Sequence, residues 1–294
     1  MRRHPLRSLP ALLLLAGLLS ACTATLLDVL IPDDDYRVER DLAYGDDPRQ
    51  RLDLYLPDEV APDLPVLVFF YGGRWESGSK ELYGFVGHAF ASRGYVVAIP
   101  DYRLHPQVRW REFLADGAAA TAAVAARLER AGRAPRPLAL AGHSAGAYIA
   151  AMLALDQHRL RSAGLVPCRI AAGVGLAGPY DFLPLDSDDL REIFGPGPAG
   201  PDTQPVTYAD GGDPPMLLMS GIDDDTVRPR NTESLAAALN AAGVRAETHL
   251  YDGVGHVGIV AALALPLRFI APVLDDTDQF LRSVTASRRC AARG

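Results

Sequence analysis

The alternation of hydrophobic and polar positions along the chain predicts eight β-strands. Two N-terminal runs, residues 37–44 and 51–56, alternate apolar and polar side chains, as half-exposed antiparallel strands do. Four later runs are more uniformly apolar, which is typical of strands buried on both faces of a sheet. Those four runs are residues 65–71, 95–100, 137–141 and 215–220. Two further strands are predicted at residues 170–176 and 245–251.

Helical stretches separate these strands. The longest, residues 111–130, is rich in alanine, the residue with the highest helix propensity, and others are predicted at 80–92, 145–155 and 230–242. This alternation indicates an α/β domain, with a mostly parallel sheet covered by helices on both faces. Residues 186–213 break the pattern with acidic residues and a Gly/Pro cluster, and predict a small lid-like excursion at the carboxyl edge of the sheet.

The N-terminus predicts a secretory signal peptide. Arg2, Arg3 and Arg7 precede an apolar run that is too short to cross a membrane as a helix, and small residues follow it. The segment Leu19-Ser20-Ala21-Cys22 resembles the bacterial lipoprotein signal, in which processing leaves Cys22 as a lipidated N-terminus. An ordinary signal peptide, with Cys22 incidental, is the alternative interpretation.

The lipoprotein interpretation sets the expected organisation of the chain. Residues 1–21 form the signal peptide, 22–36 a tether, 37–286 the α/β domain and 287–294 a C-terminal tail. The lipid anchor predicts contact with a membrane and a place in the bacterial cell envelope, on the extracytoplasmic side. No later segment offers 18 continuous apolar residues, so we expect the domain itself to be water-soluble.

Composition and charge narrow the class of protein. The chain has 294 residues, of which 49% are hydrophobic, which is enough for one substantial core. The formal net charge is −7 and no cluster of Lys or Arg is present, so we expect no nucleic-acid partner, and nothing implies a protein partner. Cys168 and Cys290 remain after Cys22 is used, and their spacing leaves open whether they pair.

A candidate nucleophile lies in the segment Gly142-His143-Ser144-Ala145-Gly146. A predicted strand precedes Ser144 and a predicted helix follows it, so this Gly-x-Ser-x-Gly pattern lies on a sharp strand-to-helix turn. The flanking glycines remove side chains that would clash at such a turn. A serine hydroxyl is a weak nucleophile at neutral pH, so Ser144 requires a base, an orienting carboxylate and donors for an oxyanion.

Asp224 and His256 follow Ser144 in the order acid then base, which is the order of the α/β-hydrolase fold. His256 lies in a Gly-containing loop just after the last predicted strand, where an imidazole can reach the edge of the sheet. His143 and His249 are the competing bases, but His143 is adjacent to the nucleophile and cannot reach it, and His249 lies within a strand. Asp224 is one of three consecutive aspartates, and the other two are expected to be solvated turn residues.

The turn after the first buried strand supplies candidate oxyanion donors. Its sequence is Tyr71-Gly72-Gly73-Arg74-Trp75, and paired glycines let a backbone approach a ligand closely. We expect the backbone N–H groups of Gly73, Arg74 and Ala145 to form the oxyanion hole. A plain Gly-Gly turn is the alternative, and Trp75 either packs the loop or contacts substrate.

These motifs together resemble bacterial α/β-hydrolase esterases related to the hormone-sensitive-lipase, feruloyl-esterase-like and kynurenine-formamidase groups. Residues 71–75 resemble their His-Gly-Gly-x-Trp motif, with Tyr71 where many relatives have His. Residues 101–106 resemble an Asp-Tyr-Arg-Leu-x-Pro segment that we interpret as a structural brace beneath the site. Residues 221–227 resemble the Gly-x-x-Asp-x-x-Val acid loop, and this resemblance singles out Asp224.

The predicted function is hydrolysis of small-molecule carboxylic esters through an acyl-enzyme on Ser144, with no cofactor and no metal. An amidase, formamidase or peptidase with the same triad is the first alternative. A lipid-anchored binding protein that has lost catalysis on the same fold is the second.

Overall fold

Eight strands form one β-sheet at the centre of the computed structural model, which describes residues 35–132, 135–195 and 200–285. The strands are β1 Tyr36–Ala43, β2 Arg51–Pro57, β3 Val66–Phe70, β4 Val97–Pro100, β5 Leu138–His143, β6 Ile170–Leu176, β7 Met216–Gly221 and β8 Ala246–Tyr251. Their spatial order is β1-β2-β4-β3-β5-β6-β7-β8. Strand β2 pairs antiparallel with β1 and β4, and every other pairing is parallel. The predicted mostly parallel, eight-stranded α/β-hydrolase sheet is therefore confirmed.

Helices fill the connections between the strands. They are α1 Gly84–Ala91, α2 Trp110–Arg130, α3 Ala145–Leu155, α4 Gln157–Ser162, α5 Asp188–Phe194, α6 Arg230–Ala241, α7 His256–Ala261 and α8 Val273–Thr285. Helix α3 is buried along its whole length and packs against β3, β5 and β6. Because α3 begins at the carboxyl end of the central strand β5, it fixes the place where the candidate nucleophile lies.

The prediction that residues 51–56 form a half-exposed strand is wrong, because β2 is buried on both faces. Helix α1 covers one face so closely that a Cβ at Gly87 would lie 2.5 Å from the ring of Tyr55. The polar residue Asp53 is fully buried, and its carboxylate is 3.1 Å from the ammonium of Lys80 and 3.2 Å from the guanidinium of Arg40. The charged residue in the middle of this strand therefore reflects buried ion pairs and not contact with water.

The helix predicted at residues 80–92 is interrupted. A 3₁₀ turn spans Lys80–Tyr83, and α1 begins only at Gly84. The amide of Lys80 donates to the Asp101 carboxylate (2.8 Å), and its ammonium is 2.8 Å from Asp41. These contacts hold the 3₁₀ turn against β1 and the end of β4.

The predicted excursion at residues 186–213 contains α5 and two 3₁₀ turns, Pro201–Thr203 and Pro205–Tyr208, with residues 196–199 outside the described chain. Phe194 of α5 packs edge-on against the indole of Trp75, with 5.1 Å between ring centroids. The excursion therefore contacts the Gly72-Gly73 loop.

The N-terminal predictions fall on residues that are not described. Cys22, the signal peptide, the tail at 287–294 and Cys290 all lie outside the described ranges, so the predicted domain boundaries and lipidation stay predictions. Cys168 is disulfide-bonded. Among the residues with described positions, no helix combines the length and apolarity needed to cross a membrane.

Candidate active site

Ser144 lies at a sharp turn between β5 and α3. Its backbone has φ 53° and ψ −121°, a conformation that is unfavourable for a residue with a side chain and that recurs at functional sites. Its amide donates to the carbonyl of Leu176 at the end of β6 (2.9 Å), and its carbonyl accepts from Tyr148 in the first turn of α3 (3.1 Å). The neighbouring strand and the helix therefore fix the strained turn from both sides.

The two glycines of this turn are required by close packing. A Cβ at Gly142 would overlap the carbonyl of Gly146, and a Cβ at Gly146 would overlap the carbonyl oxygen of Phe70 on β3. Helix α3 thus starts in direct contact with the sheet. The strand-turn-helix interpretation of the motif explains both positions.

His256 connects the nucleophile to a carboxylate. Its Nε2 lies 2.9 Å from Ser144 Oγ, and its Nδ1 lies 2.8 Å from Asp224 Oδ2. A carboxylate can only accept, so Nδ1 carries the proton and Nε2 accepts from the serine hydroxyl. The predicted base, acid and nucleophile therefore lie in one hydrogen-bonded chain, and His256 is the first residue of α7.

Asp224 is held on its other oxygen by the backbone. Its Oδ1 accepts from the amides of Thr226 (3.0 Å) and Val227 (2.8 Å), and the side chain is fully buried. Asp223 and Asp225 are exposed, as expected of solvated turn residues. Because its oxygens have fixed partners, the Asp224 carboxylate has one orientation toward His256.

The loop after β3 brings backbone donors to the same place. Gly73, Arg74 and Trp75 all have positive φ (132°, 56° and 63°), and the last two are strained for residues with side chains. Within the described ranges, no protein acceptor pairs with the amides of Gly73 and Arg74. Ala145 is the first residue of α3, where an amide has no partner within its helix.

The peptide unit that joins Tyr71 to Gly72 is hydrogen-bonded at both ends. Its carbonyl accepts from the hydroxyl of Tyr102 (3.0 Å), and its N–H donates to the hydroxyl of Tyr83 (3.2 Å). The ring of Tyr71 is fully buried and stacks on Tyr102 with 4.8 Å between centroids, and Arg49 donates to its hydroxyl (2.7 Å). Burial raises the pKa of Tyr71 well above its usual range. Tyrosine therefore braces the loop at the position where many relatives have His, and Tyr102 belongs to the brace interpreted from the sequence.

Ser144 opens into a cleft of about 320 Å³. Its apolar lining includes Trp75, Phe182 and Leu190, and Trp75 packs edge-on against Tyr148 with 5.3 Å between centroids. Charged side chains also line the cleft: Arg74, Asp186, Asp225, Arg228 and Arg230. The cleft next to Ser144 therefore presents both apolar and charged side chains.

The described residues contain no group of three or more His, Cys, Asp or Glu side chains that could hold a metal ion.

Sequence reasoning missed the surroundings of His143. Its side chain is buried, its Nε2 lies 3.0 Å from the carbonyl oxygen of His256, and its Nδ1 lies 3.1 Å from the hydroxyl of Tyr83. The prediction that His143 does not contact the nucleophile agrees with this geometry. No motif links Tyr83 to His143, so only the position of the Lys80–Tyr83 turn beside the end of β5 reveals the contact. His249 contacts Asp276 (2.9 Å) and not Ser144.

Comparisons with known proteins show the family of the chain. The BD-FAE family model matches residues 52–239. The chain is 33% identical over 252 residues to the probable isoprenylcysteine alpha-carbonyl methylesterase ICME of Oryza sativa, covering 79% of this chain and 60% of that protein. It is 30% identical over 153 residues to the kynurenine formamidase of Danio rerio, covering 52% and 50% of the two chains. The chain thus spans between 50% and 60% of the length of these curated relatives.

A solved structure extends the likeness of the fold. Esterase B from Lactobacillus rhamnosis, in a structure whose title names a tributyrin phosphonate, aligns with a TM-score of 0.76 at 21% identity. The alignment covers 94% of this chain and 95% of that one. At this identity the match shows a shared fold.

Proposed function

Because the chain belongs to the BD-FAE family, we propose that it is a serine hydrolase that cleaves carboxylic esters through an acyl-enzyme on Ser144. The observation that carries this proposal is the hydrogen-bonded chain from Ser144 through His256 to Asp224, which opens into a cleft. The name of the rice relative, a methylesterase, supports ester chemistry. The expected substrate is a small ester, and the proposed reaction uses no cofactor.

In the first half-reaction, Ser144 Oγ attacks the carbonyl carbon of the ester while His256 Nε2 takes the hydroxyl proton. The carbon becomes tetrahedral and its oxygen gains a negative charge. The amides of Gly73, Arg74 and Ala145 are the proposed donors to this oxyanion, and the absence of protein acceptors for the first two among the described residues supports that role. Asp224 stabilises the imidazolium that forms.

Collapse of the intermediate breaks the bond to the alcohol oxygen, which takes the proton from His256. The acyl group then remains on Ser144 Oγ. In the second half-reaction His256 removes a proton from water as the water oxygen attacks the acyl carbon. The second tetrahedral intermediate releases the carboxylic acid, and the proton returns to Ser144 Oγ.

A fluorophosphonate probe tests the nucleophile, because it phosphonylates an activated serine. We expect the probe to label the wild type and to be blocked by prior reaction with an ester-mimicking inhibitor. Ser144→Ala should abolish labelling, whereas Ser162→Ala, which removes an exposed hydroxyl, should leave it unchanged. A wild-type protein that does not label would overturn the hydrolase proposal and favour a binding protein.

The kynurenine formamidase relative makes amide cleavage the second candidate. The same triad serves both reactions, so the difference lies in protonation of the leaving group and in the cleft. A series of aryl esters of increasing acyl length, paired with aryl amides of the same acyl groups, separates the two. We expect turnover of the esters to dominate, and strong turnover of amides without esters would overturn the ester proposal.

We further propose that the enzyme acts outside the cytoplasm, anchored through lipid on Cys22. The charged and apolar pattern of residues 1–22 supports export and lipidation, and the disulfide bond of Cys168 is compatible with an oxidising compartment. Expression in a bacterium with radiolabelled palmitate tests the anchor. We expect label and membrane fractionation for the wild type and loss of both for Cys22→Ala; an unlabelled wild type would contradict the anchor.

A further inference from the structure

Tyr83 and His143 join two parts of the candidate site through an unbroken series of hydrogen bonds. The series runs from the amide of Gly72 to the hydroxyl of Tyr83 (3.2 Å), on to His143 Nδ1 (3.1 Å), and from His143 Nε2 to the carbonyl oxygen of His256 (3.0 Å). One end lies in the loop of oxyanion donors and the other on the backbone of the base. None of these atoms belongs to the triad.

Only one assignment of protons satisfies this series. The carbonyl of His256 can only accept, so His143 Nε2 must carry a proton. With His143 neutral, its Nδ1 then has a free lone pair and accepts from the Tyr83 hydroxyl. The oxygen of Tyr83 in turn accepts from the amide of Gly72, which can only donate. The geometry therefore fixes both the tautomer of His143 and the rotamer of the Tyr83 hydroxyl.

The surroundings keep His143 neutral. Burial, and then the neighbouring imidazole of His256, lower the pKa of His143 to about 3. The two imidazole centroids are 5.0 Å apart, so a charged His143 would oppose the positive charge that His256 gains during catalysis. Burial raises the pKa of Tyr83 to about 12, so its hydroxyl stays protonated and able to donate.

We propose that Tyr83 and His143 are positioning residues that set the oxyanion loop and the catalytic base in register with each other. The Tyr83 hydroxyl holds the peptide unit before Gly73, and His143 holds the backbone of His256. Movement at either end changes the angle at which the oxyanion donors and the base meet the same substrate carbonyl. This inference rests on the proposed function, because register matters only if Ser144 is acylated.

Close packing around Gly72 also couples the oxyanion loop to His143 and Ser144. A Cβ at this position would lie 2.9 Å from His143 Nδ1 and 3.1 Å from the Cβ of Ser144. The loop therefore lies directly against both the imidazole and the nucleophile. A small rotation of the loop would therefore change its packing against the side chain of Ser144.

Tyr83→Phe cuts the series while keeping the aromatic ring. We expect kcat for aryl ester hydrolysis to fall by about 10- to 100-fold, with KM changed by less than about twofold, because positioning acts on the transition state. Tyr95→Phe is the matched control: Tyr95 is fully buried, and its hydroxyl donates to Asp278 (2.7 Å) away from the site. It should keep the wild-type kcat even where its melting temperature falls.

Coupling provides a second measurement. His143→Leu removes the acceptor for Tyr83, so the double variant with Tyr83→Phe should lose little more kcat than the more damaging single variant. If the kcat losses of the two single variants multiply in the double variant, the proposed series is overturned. A wild-type kcat in Tyr83→Phe, or a kcat loss in Tyr95→Phe equal to that in Tyr83→Phe, would overturn it as well. If the wild type fails to label with fluorophosphonate, the proposed function fails; if it labels and Tyr83→Phe labels as fast, only this inference fails.

The tautomer of His143 can be measured in the wild-type protein, and substitutions are needed only to assign its signal. Protein with ¹⁵N-labelled histidine should show one imidazole protonated at Nε2 and bare at Nδ1 that does not gain a proton down to about pH 5. This signal should be present in Ser144→Ala and absent from the double variant Ser144→Ala, His143→Gln. That comparison assigns the signal to His143. A His143 signal protonated at Nδ1 would overturn the inference even if the Tyr83 variant did not fold.

Discussion

His143→Gln should make the protein less sensitive to acid. Burial, and then the neighbouring His256 imidazole, lower the pKa of His143 from 6.5 to about 3 in the folded state. In the unfolded chain the imidazole takes up its proton near its ordinary pKa. Between these two values the unfolded state binds more protons than the folded state, so this group lowers the free energy of unfolding as the pH falls.

The magnitude follows from the difference in pKa. Each pH unit below about 6.5 costs about 1.4 kcal/mol, so this group alone removes about 2 kcal/mol near pH 5 and about 5 kcal/mol near pH 3. Above pH 7 the variant should be the less stable protein by about 1–3 kcal/mol, because an amide does not have the ring geometry that serves the Tyr83 hydroxyl and the His256 carbonyl together. The gap between the two proteins should therefore narrow as the solution becomes more acidic.

Urea unfolding at a series of pH values between about 4.5 and 7.5 measures this gap. We expect the free energy of unfolding of His143→Gln to fall with a slope shallower by about one proton than that of the wild type. His158→Gln is the matched control, because it removes an exposed imidazole and should keep the wild-type slope. Parallel curves for the wild type and His143→Gln would refute the argument that His143 is buried in its neutral form.

Three further substitutions test the site. Asp224→Asn replaces the carboxylate that orients His256, so kcat for ester hydrolysis should fall by about 10⁴-fold with little change in KM, and a loss below about tenfold would contradict the orienting role. Arg74→Ala keeps the backbone N–H, so kcat should stay within about threefold, whereas a 100-fold loss would assign the effect to the guanidinium. Gly146→Ala places a Cβ on the carbonyl oxygen of Phe70, so the free energy of unfolding in urea should fall by about 1–3 kcal/mol or more, and an unchanged midpoint would show that the turn relaxes.

Much of the fold could be predicted because strands β3 to β7 are short and buried along their whole length. Helix α3 was predicted at its observed bounds, since an apolar run starts directly after Ser144 and ends at Asp156. The burial of β2 could not be predicted, because the polar side chain of Asp53 lies on a covered face and is neutralised by Lys80 from another element. The alternation of hydrophobic and polar residues indicates which positions share a face of a strand. It does not indicate whether an ion pair with a residue distant in sequence allows that face to be buried.

The candidate triad could be predicted for a related reason. Ser144 and His256 each follow a strand, and in a parallel sheet the carboxyl ends of the strands meet at one edge. The choice of Asp224 among three consecutive aspartates needed the family resemblance, because composition does not distinguish them. Tyr102 lies in the segment that the resemblance marks as a brace, but the contacts of Tyr83 and His143 could not be predicted, since they depend on turns whose backbone angles the sequence does not reveal.

The brace around the oxyanion loop explains how a tyrosine can occupy position 71. The Tyr71–Gly72 peptide unit is fixed at its carbonyl by Tyr102 and at its N–H by Tyr83, so its plane is set by two side chains from other elements. The ring of Tyr71 packs against both of these rings, with centroids 4.8 and 5.7 Å away. An imidazole at this position is therefore not needed to orient the loop. Electrostatic stabilisation of an oxyanion depends on donors that are oriented before the charge forms, and here that orientation is supplied by hydroxyl groups distant in sequence from the donors themselves.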